Sequence, residues 1–212
     1  MGIIIISRGS YSYGAAIAQK VAKTLNYDII SREKLIETSA KEFNVPEVKL
    51  LHAMYDAPSF LERITHGRKK YVAYIKAALL DFLKKDNVIY HGFAGVFFVR
   101  DIPHILKVRI TADMEKRVKL VMERDKVSEK EALRIIKKLD EERSKWSRYL
   151  YGIDIADPSL YDLVIHIGQS LNVDEAVSII CRTALLDTFK TSSETLKIIE
   201  DRAMAARQQS VL

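Results

Sequence analysis

The first 25 residues constrain the fold more than any other stretch of the 212-residue chain. Met1–Ser7 is a short, unbroken apolar run, the pattern of a strand buried on both faces of a parallel sheet. The loop Arg8-Gly9-Ser10-Tyr11-Ser12-Tyr13-Gly14 follows, and Ala15–Leu25 then places Ile17, Val21 and Leu25 on one helical stripe. A strand that feeds a glycine-bounded loop and then a helix brings unbonded backbone N–H groups to the positive end of that helix. The result is an anion cradle made of main chain, and it belongs to folds that alternate strands with helices.

The alternation continues. Tyr27–Ile30, Asn87–His91, Ile105–Thr111 and Leu160–Ile167 read as further strands. Between them, Ser31 is an N-cap for a helix to about Phe43, Pro46 can open another, and Asp56-Ala57-Pro58 breaks the pattern. Helical spacing returns over Lys69–Lys85 through Val72, Ile75, Leu79 and Leu83, and Asp113 is a cap for Met114–Asp125. Ser128 and Glu131 have capping-box spacing ahead of a charged helix over about Glu129–Tyr149, and Val173–Leu186 closes the series. Thr191 and Glu194 repeat that spacing before a C-terminal helix. Repeated βαβ units predict an α/β fold, a five-stranded parallel sheet with helices on both faces. Ligands of such sheets bind at the carboxyl ends of the strands, so residues just after Ile6, Ile30, Tyr90, Ile110 and Ile165 are expected to face the site.

Composition narrows the setting. A single cysteine, Cys181, excludes an internal disulfide and points to a reducing, cytoplasmic compartment. The apolar run Ile3–Ile6 has no basic segment before it, which reads as a strand and not as a signal peptide or membrane span. The net charge of +6 favours anionic partners, although 34 Lys and Arg residues also solvate helix faces. No aromatic-basic motif accompanies the charge, so nucleic acid is the minor reading. The five histidines (His52, His66, His91, His104 and His166) lack metal-ligand spacing, and no zinc site is expected.

Gly9 and Gly14 have the G-x-x-x-x-G spacing of a phosphate-binding P-loop, in which the next two residues are Lys and Ser or Thr. Here they are Ala15 and Ala16. A backbone cradle of amides survives such a change, whereas the lysine charge and the metal-binding hydroxyl do not. Tyr11 and Tyr13 inside the loop can either stack on a base or narrow the cradle.

Several segments, in order, resemble the cytidylate kinase-like family over about residues 3–186. They are IIIISRGSYSYGAAIAQKVAKTLNY, DIISREKLIE, VIYHGFAG, HILKVRITADMEKRVKLVMER and LDEERSKWSRYLYGIDIADPSLYDLVIHI, with LNVDEAV behind them. The last long segment is the most specific, since D-x-x-R, then Tyr, then D-P-x-x-Y-D-L-V resembles the family's lid and final strand. The resemblance implies a P-loop kinase layout over residues 1–189, with a helical lid at about 128–157 and a helical tail at 190–212. It also implies ATP with Mg²⁺ as donor and CMP or UMP as acceptor. The chain departs from the pattern at Ala15 and Ala16, at Ser31 where the family has Asp, at Phe93 where a Gly-Arg pair is expected, and at Ala94 where an acid is expected.

The surviving cations of the implied site are Arg8, Arg32, Arg143, Lys145 and Arg148. Arg143 and Arg148 are lid candidates in this resemblance, with pairing along a solvated helix as the plainer reading. Asp140 either orients Arg143 or pairs along its own helix. Arg8 is positioned to replace the lysine, or else is a surface arginine paired with an acid. His91 and Gly92 end the third strand at the ligand edge, His91 as a general base or, more simply, a structural residue.

Three functions remain open: an ATP-dependent phosphotransferase, a nucleotide-binding module without turnover, and a partner-binding scaffold. In the tail, Leu196, Ile199, Ala203 and Ala206 form a stripe that needs cover from the same domain, a twin chain or a further domain. EDRAMAARQQSVL resembles the opening helix of a BON-type domain, which implies a further domain downstream.

Overall fold

A computed structural model describes residues 2–55 and 67–209. The Asp56-Ala57-Pro58 break, His66, Met1 and residues 210–212 lie outside the described residues.

Five strands, β1 (Ile3–Arg8), β2 (Asp28–Ser31), β3 (Val88–His91), β4 (Ile105–Ala112) and β5 (Leu163–Ile167), form one sheet in the order β2-β3-β1-β4-β5. Every pairing is parallel, with Ile3 opposite both Val88 and Ile105. β1 is central, and the chain leaves it towards β2 and β3 on one side and later fills β4 and β5 on the other. The crevice where the order reverses lies at the carboxyl end of β1, where the glycine loop begins.

The run of isoleucines that predicted β1 is shared between two cores. Ile3 and Ile5 pack with side chains of α2 (Arg32–Phe43), α3 (Glu47–Tyr55), α4 (Gly67–Leu83) and α5 (Gly95–Phe98). Ile4 and Ile6 pack on the opposite face with α1 (Gly14–Leu25) and α8 (Val173–Ala184). A strand must be apolar at every position when both of its faces are covered. A satellite cluster joins Val118 and Val121 of α6 (Met114–Asp125) to Ala132 and Ile136 of α7 (Glu129–Tyr151).

Several element ends differ from expectation. β5 starts at Leu163 because Asp157 caps a 3₁₀ turn over Pro158–Leu160, accepting the Ser159 N–H at 2.8 Å. Asp113 makes no side-chain cap on α6, since its carboxylate is engaged by His166 Nε2 at 2.8 Å. Ser128 accepts the Glu131 N–H, but the Glu131 carboxylate holds Arg134 and does not return to the cap. Ser192, not Thr191, caps α9 (Ser193–Gln209), because the Thr191 hydroxyl donates to Asp86. After β3 the chain runs through Gly92–Ala94 into α5, a four-residue helix too short to show a periodicity.

α9 lies along α4, and Ile199, Ala203 and Ala206 are buried there. The stripe is thus covered within the same chain. Among the described residues no helix is long and apolar enough to cross a membrane.

Candidate functional site

A cleft of about 690 Å³ opens at the carboxyl ends of β1 and β2. The loop contributes Arg8, Ser10 and Tyr11, the start of α2 contributes Arg32 and Glu33, and the end of α3 contributes Tyr55. Arg124 of α6 and Leu139, Glu142 and Arg143 of α7 close the far wall. A narrow extension of about 20 Å³ runs between Arg8, Arg32, Tyr55 and Arg143 down to Gly92 and Phe93. A second cavity of about 450 Å³ lies on the other side of the loop, over Tyr13, Ala15, Ala16, Leu120 and Glu123. Arg8, Tyr11 and Arg124 border both large cavities and form the partition between them.

The loop backbone is pinned at its start and unbonded after it. Gly9 N–H donates to Ile110 O at 3.0 Å, and Ser10 N–H donates to Asp140 Oδ1 at 3.0 Å. Arg117 Nε donates to Ser10 O at 2.6 Å while its guanidinium pairs with the other Asp140 oxygen. From Tyr11 to Ala16 no N–H has an acceptor among the described residues. Tyr11 and Tyr13 both have left-handed backbones, φ 58° and 63°, with Ser12 between them. Such alternation turns successive amides towards one side and forms a nest for anions. A left-handed conformation costs a non-glycine residue about 1–2 kcal/mol, so two in one loop are a local strain that the fold maintains. Among the described residues the hydroxyls of Ser10 and Ser12 are buried without a hydrogen-bond partner.

Neither tyrosine ring is free. Tyr11 packs beside the satellite cluster, its hydroxyl takes a hydrogen bond from Arg124 Nη2 at 2.8 Å, and that guanidinium lies 4.6 Å from its ring centroid. Tyr13 packs beside the α1–α8 core.

Arg8 is half-buried, and its stem rests on Gly14, where an added Cβ would come within 2.6 Å of Arg8 Cδ. Gly14 is required there for that contact. Burial pushes the Arg8 pKa down, and the Arg32 charge pushes it further. Arg8 has no ion pair among the described residues, so it is not a surface arginine matched to an acid. Arg143 reaches the same place from α7: its Nη1 donates to Arg8 O at 3.4 Å and its guanidinium lies 5.8 Å from the Phe93 ring. Burial lowers its pKa, and the Arg8 charge adds to that. Arg32 pairs with Glu33 at 2.6 Å and stands 5.2 Å from the Tyr55 ring centroid.

Gly92 lines the narrow extension, where a Cβ would come within 2.3 Å of the Tyr90 hydroxyl. His91 is half-buried and not part of the lining; burial and then the Arg8 charge lower its pKa, keeping it neutral near pH 7. Lys145 pairs with Glu141 at 2.6 Å and Arg148 with Asp154 at 2.9 Å, both with exposed side chains. The structure therefore brings Arg8, Arg32, Gly92 and Arg143 together and leaves Lys145 and Arg148 outside the cleft. Asp140 takes neither expected role, because its partners are Arg117 and Ser10. Phe93, in place of a cation, packs against Trp146 with ring centroids 4.6 Å apart.

Sequence reasoning missed Arg117, Arg124 and Tyr55. Arg117 had a signal: it adjoins Val118 on the inward face of α6, an unusual place for a cation unless it is paired. Tyr55 had none, because it precedes the unreadable stretch.

The unbonded amides and unpaired arginines fit a nucleotide's phosphates. They do not fit a magnesium ion held by the chain. Ala16 has no hydroxyl, and among the described residues no group of three His, Cys, Asp or Glu side chains could hold a metal. Any Mg²⁺ would have to be carried by the nucleotide's own oxygens and water.

A glycine loop at the reversal point of a five-stranded parallel sheet, with an arginine-bearing helix over it, is a P-loop kinase architecture. Shikimate kinase from Bacteroides thetaiotaomicron shares the fold at TM-score 0.51 and 12% identity, covering 87% of this chain and 99% of that one. An uncharacterized protein from Eubacterium ventriosum is closer in shape, at TM-score 0.63 and 24% identity, covering 86% of this chain and 98% of its own. Residues 3–169 match the cytidylate kinase-like family, and the chain belongs to it. The cytidylate kinase of Sulfolobus acidocaldarius is 30% identical over 82% of this chain and 89% of its own length. That of Ignicoccus hospitalis is 27% identical over 78% and 90%.

Proposed function

We propose that this chain is an ATP-dependent phosphotransferase acting on a pyrimidine nucleoside monophosphate, CMP or UMP, with Arg8 in place of the loop lysine. The observation that carries this reading is Arg8 itself: a partly buried cation without an ion pair among the described residues, resting on Gly14, in the partition between two cavities. Phosphoryl transfer needs charge neutralisation and in-line placement at such a boundary. The donor triphosphate would lie on the amides of Tyr11–Ala16, in the cavity that Ala15 and Ala16 leave open. The acceptor would lie in the larger cleft. An acceptor phosphate oxygen then bonds to Pγ as the bond from Pγ to the β,γ-bridging oxygen breaks, and ADP leaves with that electron pair. Arg8 and Arg143 offset the charge that develops between them.

In this reading residues 1–189 are the kinase-like body and 190–212 a docked tail, in a cytoplasmic setting. The lid segment 128–157 closes through Arg143, while Lys145 and Arg148 serve its outer face.

A second reading, nucleotide binding without turnover, is favoured by the missing hydroxyl at Ala16 and the aromatic Phe93 in place of a cation. Calorimetry with ATP, ADP, CMP and UMP, with and without Mg²⁺, followed by a transfer assay, separates the two. The proposal expects ATP binding and transfer, with Arg8→Met weakening ATP at least tenfold, as loss of a charge-assisted contact of about 1.5–3 kcal/mol requires. It also expects Ala15→Lys to recover binding in the Arg8→Met background, because both positions border the same cavity. ATP binding without transfer would support the second reading, and no nucleotide binding at all would leave a partner-binding scaffold.

A further inference from the structure

The cleft floor contains hydrogen-bond donors with almost nothing to receive them. Arg8 and Arg143, both half-buried, have no ion pair among the described residues. Tyr55 lines both the cleft and its narrow extension beside them, and its hydroxyl oxygen is buried. Among the described residues the Tyr55 hydroxyl finds no acceptor for its proton; Arg32 is the one group near enough to donate to its oxygen. Arg32 is stacked near its ring, and a guanidinium can only donate, so the phenolic proton stays unused whatever the arginine does. A buried hydroxyl proton without an acceptor is rare in folded proteins and calls for a specific explanation, of which a bound acceptor is one. The acidic neighbours are already engaged: Glu33 with Arg32, Asp140 with Arg117 and Ser10, and Glu142 with Lys138 at 3.8 Å. Two unmatched positive charges and one hydroxyl donor therefore call for a compact group that only accepts and carries two negative charges.

We propose that Tyr55, with Arg8, Arg32 and Arg143, forms a subsite for a dianionic phosphate group, and that the Tyr55 hydroxyl is a binding residue of this protein. The identification of that group as the acceptor's phosphate rests on the phosphotransferase reading; the subsite itself does not. Tyr55 thereby compensates for the cation lost at Phe93, whose ring lies 5.9 Å from its own. Burial holds the Tyr55 pKa at about 12 against the pull of Arg32 and Arg143, so the hydroxyl stays a donor throughout the neutral range.

Tyr55→Phe removes the hydroxyl and keeps the ring. Binding of inorganic phosphate and of CMP would be followed by calorimetry and by fluorescence of Trp146, the chain's single tryptophan, beside Phe93. The substitution is expected to weaken both probes five- to tenfold. It should leave the ligand-free melting temperature equal or higher, since a buried hydroxyl whose proton has no acceptor is removed. Wild-type affinity for CMP should rise as pH passes about 6, where a phosphate ester takes its second charge. Unchanged affinity in Tyr55→Phe, a lower melting temperature, or binding indifferent to pH would each overturn the subsite. Weakening of CMP alone would make the ester the ligand, and weakening of both would make the phosphate group sufficient. ATP titrated into the same variant separates the two ideas. Intact ATP binding and transfer with unchanged CMP affinity sinks the subsite alone, whereas absent ATP binding with a phosphate effect sinks the donor reading alone.

Discussion

Asp140 accepts the Ser10 N–H and pairs with Arg117, whose Nε donates to the Ser10 carbonyl, so two residues distant in sequence hold the peptide units on both sides of Ser10. Burial alone would raise the Asp140 pKa, but the hydrogen bonds from Arg117 and Ser10 outweigh it and hold it below the ordinary value. A carboxyl with a depressed folded pKa stabilises the fold above its unfolded pKa of about 3.9, and that stabilisation is lost as pH falls through the folded value. Asp140→Asn is therefore expected to lower stability at pH 7 by about 1–2 kcal/mol, a modest figure because over a third of the side chain is in water. Between pH 5 and 3 the variant should lose less of its melting temperature than the wild type; parallel curves would mean that Asp140 is not a carboxylate latch. Little of this was legible in the sequence. The placement of the loop, Arg8 and Arg143 at one cleft was, because it follows from position along strand and helix. The Asp140 partners were not, since they depend on α6 and α7 meeting over the loop, 130 residues along the chain from Ser10.

At the scale of elements, α7 shows what periodicity reveals and what charge conceals. Its sequence is so charged that it reads as a solvated lid, yet Leu139, Arg143, Trp146 and Leu150 recur at i, i+4, i+7 and i+11. That spacing puts Arg143 on the inward stripe and leaves Lys145 and Arg148 on the outer one, as their ion pairs with Glu141 and Asp154 show. Trp146 is fully buried, donates Nε1 to Ala53 O at 2.7 Å, and packs on Phe93. It thereby ties the helix that carries Arg143 to α3, which carries Tyr55. Trp146→Ala is expected to cost about 3–5 kcal/mol in denaturant melts through the cavity it leaves. Trp146→Phe should recover part of that while still losing the bond to Ala53. A cost below 1 kcal/mol for Trp146→Ala would mean that α7 is not anchored here. The caps were read less well than the helices, and for one physical reason: Asp113 and Thr191 had the right residue type, but His166 and Asp86 compete for their side chains.

Across the whole molecule, the sheet order and its two cores follow from alternation of strands and helices, and the sequence pattern was sufficient for that. The occupant of the tail's apolar stripe was not legible, because a stripe states that it needs cover and not what covers it. α4 supplies the cover, and Arg207 adds ion pairs to Glu42 and Asp81 across the same contact. The tail thus connects to the site through a chain of packed helices: α9 lies on α4, α4 lies on α3, and α3 ends in Tyr55. Removing residues 191–212 exposes the apolar surface that Ile199, Ala203 and Ala206 share with α4. At about 25 cal/mol per Å², less the entropy of ordering one helix, a loss of roughly 3–5 kcal/mol is expected. For a chain of this size that lowers the melting temperature by about 6–20 °C. Ile199→Ala, which leaves the helix in place, should reproduce about 2–4 kcal/mol of the loss. If the coupling runs through α3, the truncated chain should also bind CMP more weakly while ATP affinity changes little, because the loop amides are framed by β1 and α1 on the other side of the sheet. An unchanged melting temperature, or equal losses for both nucleotides, would show that α9 does not support the cleft.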